Sequence, residues 1–162
     1  MEQFEAIYEK YYRKVYLFLL KLTGDHWLAE ELTQEALYRA FLHIDRFEKR
    51  SSLYTWLCQI AKNCWLMELR KQKPVYDAEG TAKIDSGINL EEEVVERQMR
   101  EAMRREITNL PEPYASVCML RIYAELSYAE IAAEEGKSES WAKVTFFRGK
   151  AMLIERMGYK DE

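Results

Sequence analysis

Glycine and proline are scarce, six and three in 162 residues, which argues against a turn-rich β fold. No stretch approaches the roughly 18 apolar residues of a membrane span. The N-terminus, MEQFEAIYEK, is acidic and amphipathic where a signal peptide would be basic and then apolar, so the chain is expected in the cytoplasm with no membrane contact of its own. Cysteine is limited to Cys58, Cys64 and Cys118, an odd number without CxxC spacing. That excludes a disulfide framework and leaves them as small core residues. His26 and His43 stand alone, and no phosphate-cradling glycine loop is present. The acid pairs Glu30-Glu31 and Glu134-Glu135 read as solvated helix faces. No catalytic residue, metal site or cofactor is therefore expected, and the chain is not read as an enzyme.

What is abundant is hydrophobic residue at helical spacing, 48% of the chain, ample for one medium core or two small ones. Phe4, Tyr8, Tyr11, Val15, Phe18 and Leu22 form the stripe of an amphipathic helix ending at Thr23-Gly24. Asp25 can cap a second helix running through Leu28, Leu32, Ala36 and Ala40 to about Ile44. A polar loop, FEKRSS, leads to a third helix from Leu53 to about Lys71, with Leu57, Ile60, Ala61, Cys64 and Met67 facing inward, and Pro74 is expected to stop it. From Pro74 to about Asn89 the text lacks apolar period and reads as an extended acidic linker. Helical pattern returns from Leu90 to Ile107, breaks at Leu110-Pro111, and resumes from about Glu112 to Tyr123. The expected fold is all-α: two small helical domains, 1–73 and 91–162, joined by an acidic linker over 74–90.

Charge is unevenly spread. Residues 1–73 carry 12 Lys/Arg against 10 Asp/Glu, residues 74–100 carry 3 against 7, and residues 101–162 carry 9 against 11. The net charge of −4 thus hides a basic strip between His43 and Lys73, with 7 basic and 3 acidic residues. A phosphate-binding surface needs local positive potential, not a basic total. The acidic total predicts poor non-specific DNA affinity for the protein alone.

Residues 126–150, LSYAEIAAEEGKSESWAKVTFFRGK, read as a helix, a glycine turn at Gly136 and a second helix. Ser127 and Glu130 can form a capping box for the first, and Ser138 can cap the second. This is the pattern of a helix-turn-helix, whose second helix enters the DNA major groove, and equally of an ordinary αα-hairpin. Three features favour DNA. Ile131, Ala132, Val144 and Phe147 can pack two short helices at a steep angle. Ser138, Ser140 and Trp141 open the second helix with groups able to meet bases. Lys143, Arg148 and Lys150 sit where phosphates would flank the groove.

A second constellation is FEKRSSLYTWLCQIAKNCWLMELRKQK, residues 47–73. Gln59, Asn63 and Arg70 fall close to one helical face, interleaved with exposed aromatics such as Tyr54 or Trp65, while Lys49 and Arg50 lie on the preceding loop. Amides, a guanidinium and aromatics suit unstacked bases. Composition alone favours the plainer reading, a solvated face plus core aromatics, over a surface for bases.

The order LAEELTQEALYRAF, FEKRSSLYTWLCQIAKN and, after the linker, LPEPYASVCMLRIYAELSYAEIAAEEGKSESWAKVTFFRGKAML resembles bacterial RNA polymerase sigma factors of the extracytoplasmic-function group. The resemblance covers nearly the whole chain. It implies an alternative sigma factor that directs core polymerase to specific promoters, in a stress or envelope response, with an anti-sigma partner. By position, Ala29, Glu30, Leu32, Gln34 and Glu35 match the helix that docks on the β′ clamp helices, and the β flap is implied as the second polymerase contact. Phe47, Ser51, Ser52, Thr55, Trp56, Leu57, Ile60, Ala61, Asn63 and Arg70 match the segment that melts and reads the minus-ten element, the loop around Glu48 to Ser52 holding a flipped base. Leu110, Pro111, Leu126, Ser127, Glu130, Ile131, Ala132, Gly136, Ser138, Lys143 and Arg148 match the domain that reads the minus-thirty-five element as duplex.

The chain departs from that pattern at several positions. Lys49-Arg50 replaces a glycine-acid pair, Met67 replaces an aspartate, Ser140-Trp141-Ala142 replaces Gly-Thr-Val at the start of the recognition helix, and Glu135 stands where an apolar residue is common. These changes put the promoter sequence in question, and Trp141 can either read bases or pack on the preceding helix. The alternative reading is a stand-alone helix-turn-helix regulator of duplex DNA. It differs in having no need for a nucleic-acid surface in residues 47–73.

Overall fold

The structure is a computed structural model and describes residues 2–76 and 91–158. Among these the regular structure is all helical, with no strand, and the chain divides into two compact units, Met1–Lys83 and Ile84–Glu162.

The first unit consists of α1 (Glu2–Thr23), α2 (His26–Leu42), a single 3-10 turn (Ile44–Arg46) and α3 (Leu53–Tyr76). Gly24, at φ 72°, ends α1 at the position expected from the sequence. Asp25 then caps α2, its carboxylate accepting from the N–H groups of Trp27 (3.0 Å) and Leu28 (3.2 Å), an arrangement that contributes about 1 kcal/mol. The three helices close over Val15, Phe18, Leu19, Leu22, Leu37, Leu57 and Trp65, all 1% exposed or less. Each such side chain contributes about 1.5–3 kcal/mol by leaving water. The buried Thr33 satisfies its hydroxyl on the Ala29 carbonyl at 2.6 Å.

Three details of α3 differ from the sequence reading. The helix passes Pro74 and ends at Tyr76, because a proline in the last turn forfeits a single ladder bond that little helix follows. The proposed linker start, 74–76, is therefore helical, and the rest of that segment, 77–90, lies outside the described residues. Met67, expected inside, is 39% exposed. Trp65, offered as an exposed aromatic, is core at 1% exposed.

The second unit contains α4 (Glu91–Thr108), α5 (Tyr114–Cys118), a π-helical turn (Met119–Tyr123), α6 (Tyr128–Glu135) and α7 (Glu139–Arg156). The helix expected over 112–123 is thus shorter at its start and widens into the π turn over its second half. Glu112 stands in front of α5 and accepts from Ser116 N–H (2.9 Å) and Ser116 Oγ–H (2.8 Å), which holds the entry to the helix. Arg121 secures the approach to α6 twice, donating to the Leu126 carbonyl at 2.9 Å and lying 4.1 Å from the Tyr128 ring centre.

α7 packs inward through small residues, Ala142, Thr145 and Gly149, followed by Leu153. A Cβ on Gly149 would fall 2.6 Å from Cys118 Sγ and 3.4 Å from Tyr114 Cβ, so the close approach of α7 to α5 requires glycine there. Val144 and Phe147, read from sequence as packing residues, are 46% and 49% exposed instead. The inward face of α7 is turned from the one that hydrophobicity suggested.

Candidate nucleic-acid interface

In the first unit the candidate site is the loop 47–52 and the exposed face of α3. Phe47 lies with its ring centre 5.2 Å from that of Trp56, which ties the loop's start to the second turn of α3. At the loop's other end Ser52 caps α3: its Oγ accepts from Thr55 N–H at 3.1 Å and lies 2.9 Å from Thr55 Oγ1, inside a fully buried residue. Ser52, expected as a base contact, is thus engaged in holding the helix start, while Ser51 Oγ–H donates locally to the Ser52 carbonyl at 3.4 Å. Between these anchors Lys49 adopts a left-handed backbone, φ 58°, at the position where the resemblance leads one to expect glycine. Arg50 forms an exposed ion pair with Glu48, Nε to Oε2 at 3.3 Å, which contributes little to stability.

Further along α3, Asn63 and Arg70 are exposed and Gln59 is half-buried. The spacing of four and seven residues sets them in register on one helical face, as expected from the sequence. Lys49, Arg50, Asn63 and Arg70 are therefore exposed, Ser51 is half-buried, and Ser52, though exposed, has its Oγ engaged in the cap of α3.

On α2, Ala29 and Leu32 are buried at 0% and 5% exposed, so neither can touch a partner; they hold the helix on its core. Glu30, Gln34 and Glu35 are exposed. Gln34 hydrogen-bonds Tyr12, whose hydroxyl burial pushes up, and Glu35 pairs with Arg39 at 2.8 Å. The sequence reading missed three apolar members of this outer face: Trp27 at 83%, Tyr38 at 57% and Leu42 at 51% exposed. Their signal was present, since they fall off the core stripe of α2.

The second unit presents the helix-turn-helix. Ser127 and Glu130 form the expected capping box at 3.1 Å and 3.0 Å, Gly136 turns the chain at φ 67°, and Ser138 Oγ accepts from Trp141 N–H at 3.0 Å. Ser138 is thereby committed to capping α7. Trp141 is half-buried with Lys137 Nζ 5.8 Å from its ring centre, so its ring borders the turn. The exposed face of α7 carries Ser140, Val144 and Phe147 along its middle, flanked by Lys143 and Lys150 on one side and Arg148 on the other. Cations bordering a short apolar strip match phosphates bordering base edges.

Two family models match this chain: Sigma-70 region 2 over residues 7–75 and Sigma-70 region 4 over residues 100–153. The ECF RNA polymerase sigma factor SigM of Bacillus subtilis is 32% identical, over 98% of this chain and 98% of its own length. SigW of the same organism, also an ECF RNA polymerase sigma factor, is 30% identical, over 96% of this chain and 89% of its own. Among solved structures, the sigma factor RpoE of Bartonella quintana, crystallised with the anti-sigma factor NepR, aligns over 99% of this chain and 100% of its own, with a TM-score of 0.63 at 21% identity. At that identity the last likeness concerns the fold.

The chain belongs to the ECF group of RNA polymerase sigma factors, the alternative sigma factors that direct core RNA polymerase to specific promoters. The region 2 match spans the segment that a stand-alone duplex regulator would not need, and that alternative gives way.

Proposed function

We propose that the first unit binds polymerase through the outer face of α2 and reads a melted minus-ten element with loop 47–52 and α3, while α7 reads the minus-thirty-five element as duplex. The observation that carries this reading is the exposed Asn63–Arg70 face of α3, set behind a loop pinned at both ends by Phe47–Trp56 and by Ser52. A loop held open at its ends can receive a base without first paying to order itself. Lys49 and Arg50 put positive charge at its rim, where a phosphate must pass. On α7, Val144 and Phe147 meet thymine methyl groups and Lys143, Arg148 and Lys150 meet phosphates.

Two modest DNA sites joined in one polymerase-bound chain gain by effective concentration, so neither unit needs high affinity alone. The phosphodiester chemistry belongs to the polymerase, and the chain itself acts in the cytoplasm without catalysing a reaction. An anti-sigma protein that covers the exposed apolar groups of α2 would hold the factor inactive until a stress or envelope signal releases it.

The test is transcription in vitro with bacterial core polymerase on a genomic library. Specific new start sites are expected, and Asn63→Ala should impair open-complex formation while leaving upstream docking intact. Initiation nowhere beyond the background of core polymerase would refute the assignment.

A further inference from the structure

A chain of side chains runs through the second unit from the π turn to the exposed face of α7, and neither the helix caps nor the buried core accounts for it. It starts at Leu126, which the π turn grips on both sides: its N–H donates to the Leu120 carbonyl at 3.1 Å, and its carbonyl accepts from Arg121 Nη1 at 2.9 Å. The guanidinium carbon of Arg121 lies 4.1 Å from the ring centre of Tyr128, the first residue of α6. The Tyr128 ring meets that of Phe146 on α7, with centres 6.0 Å apart and planes at 50°. Phe146 in turn meets Phe147, with centres 5.8 Å apart and planes at 59°. Arg121, Tyr128 and Phe146 are half-buried, and Phe147 is the exposed end of the chain.

Aromatic contact between α6 and α7 would by itself do no more than brace two helices. Two observations carry it further. The chain does not end in the core: its last ring, Phe147, stands three residues from Val144 on the exposed face of α7, so a shift at Tyr128 is passed through packed rings to a residue of that face. Its first member is a cation. Among the described residues Arg121 meets a carbonyl and a ring and no carboxylate within ion-pair distance. An apolar side chain would fill the same space without desolvating a guanidinium. What the guanidinium adds is direction, since a planar fork that must meet one carbonyl and cover one ring fixes the two relative to each other.

We propose that Arg121 and Tyr128 are positioning residues for promoter recognition: through Phe146 they hold the Phe147 ring at the angle at which it meets a thymine methyl group. The inference rests on the reading of the minus-thirty-five element by α7. Neither residue touches DNA. They set how sharply one base is discriminated and leave the phosphate contacts of Lys143, Arg148 and Lys150 as they are.

The experiment uses the holoenzyme and a duplex promoter found in the library transcription, with each thymine of the minus-thirty-five element replaced in turn by deoxyuridine, which lacks only the methyl group. The readout is the ratio of the two affinities on one preparation of protein. A smaller folded fraction cancels in that ratio, so a merely structural loss leaves it unmoved. Wild type should prefer thymine about four-fold at one position, the worth of one buried methyl group. Phe147→Ala should identify the position by removing the preference. Arg121→Met and Tyr128→Leu should each bring the ratio there close to one, and Tyr128→Phe, which keeps the ring, should retain it. Ratios at the other thymines, and the salt slope of binding, should stay as in wild type. A ratio that Arg121→Met does not move, a fall shared by every thymine, or a salt slope lower by about 0.9, the mark of a lost phosphate contact, each overturns the positioning role while the reading of the element stands. If wild type discriminates thymine from deoxyuridine at no position, the reading by Phe147 falls and the positioning role with it.

Discussion

In the first unit the residues proposed to face DNA come from a loop, 47–52, and the helix it leads into; in the second they come from one face of a single helix, α7. The supports differ accordingly. The first unit fills its core with large side chains, Phe18, Leu19, Leu22 and Trp65, and hangs the loop from one of its half-buried aromatics, Trp56. The second brings α7 in close through Ala142, Thr145 and Gly149, caps it at Ser138, and closes the preceding α6 with Ser127 and Gly136. A duplex offers a groove of fixed shape, which suits a rigid helix. A melted strand offers bases that can be swung out, which suits a rimmed loop.

The contrast breaks most decisively through the cores. Trp65→Ala should remove about 3–5 kcal/mol from the first unit and leave the second unit's transition in place, as read by urea denaturation of the full chain with a probe in each unit. Equal loss in both transitions would mean that the units do not unfold separately. Gly149→Ala should cost the second unit about 1–3 kcal/mol by overpacking against Cys118, and Cys118→Ala in the same chain should restore most of it; failure of that rescue would locate the clash elsewhere. Lys49→Gly should relieve the left-handed backbone of the loop by up to about 1 kcal/mol and reduce affinity for melted DNA, so that stability and binding move in opposite directions.

The smallest effect is absent at neutral pH. Burial pushes the thiols of Cys64 and Cys118, one in each unit, from 9.0 up to about 11. Both stay neutral in the fold after the unfolded chain has begun to ionise. Their contribution is therefore complete below pH 9 and is lost as pH rises toward 11 in both units alike. Denaturation midpoints followed between these limits should fall, and Cys64→Ala should flatten the fall in the first unit only.

The helix order, both helix-turn-helix caps, the turn at Gly136 and the cap at Asp25 were legible because each is written locally, in spacing or in a residue whose side chain bonds its own backbone. The face of α7 was not. Phe147 and Val144 are larger and more apolar than Gly149 and Thr145, and hydrophobicity alone points the wrong side inward. What decides the matter is how near α5 lies, a distance that the sequence of α7 does not contain. Ser52 shows a related limit: a hydroxyl beside a candidate DNA-facing surface reads as a contact until its hydrogen bond to Thr55 is seen. Trp65, offered as an exposed aromatic, was taken into the core for the same reason.

Because the inner side of α7 holds the second unit together with Ala142, Thr145 and Gly149, its outer residues Ser140, Val144 and Phe147 bear less of the packing. Substitutions there can wander through many side chains without unfolding the protein. On the proposed reading of α7, a duplicated copy acquires a new set of upstream sites by a few such changes, its scaffold untouched, and comes to govern other genes within a short mutational distance.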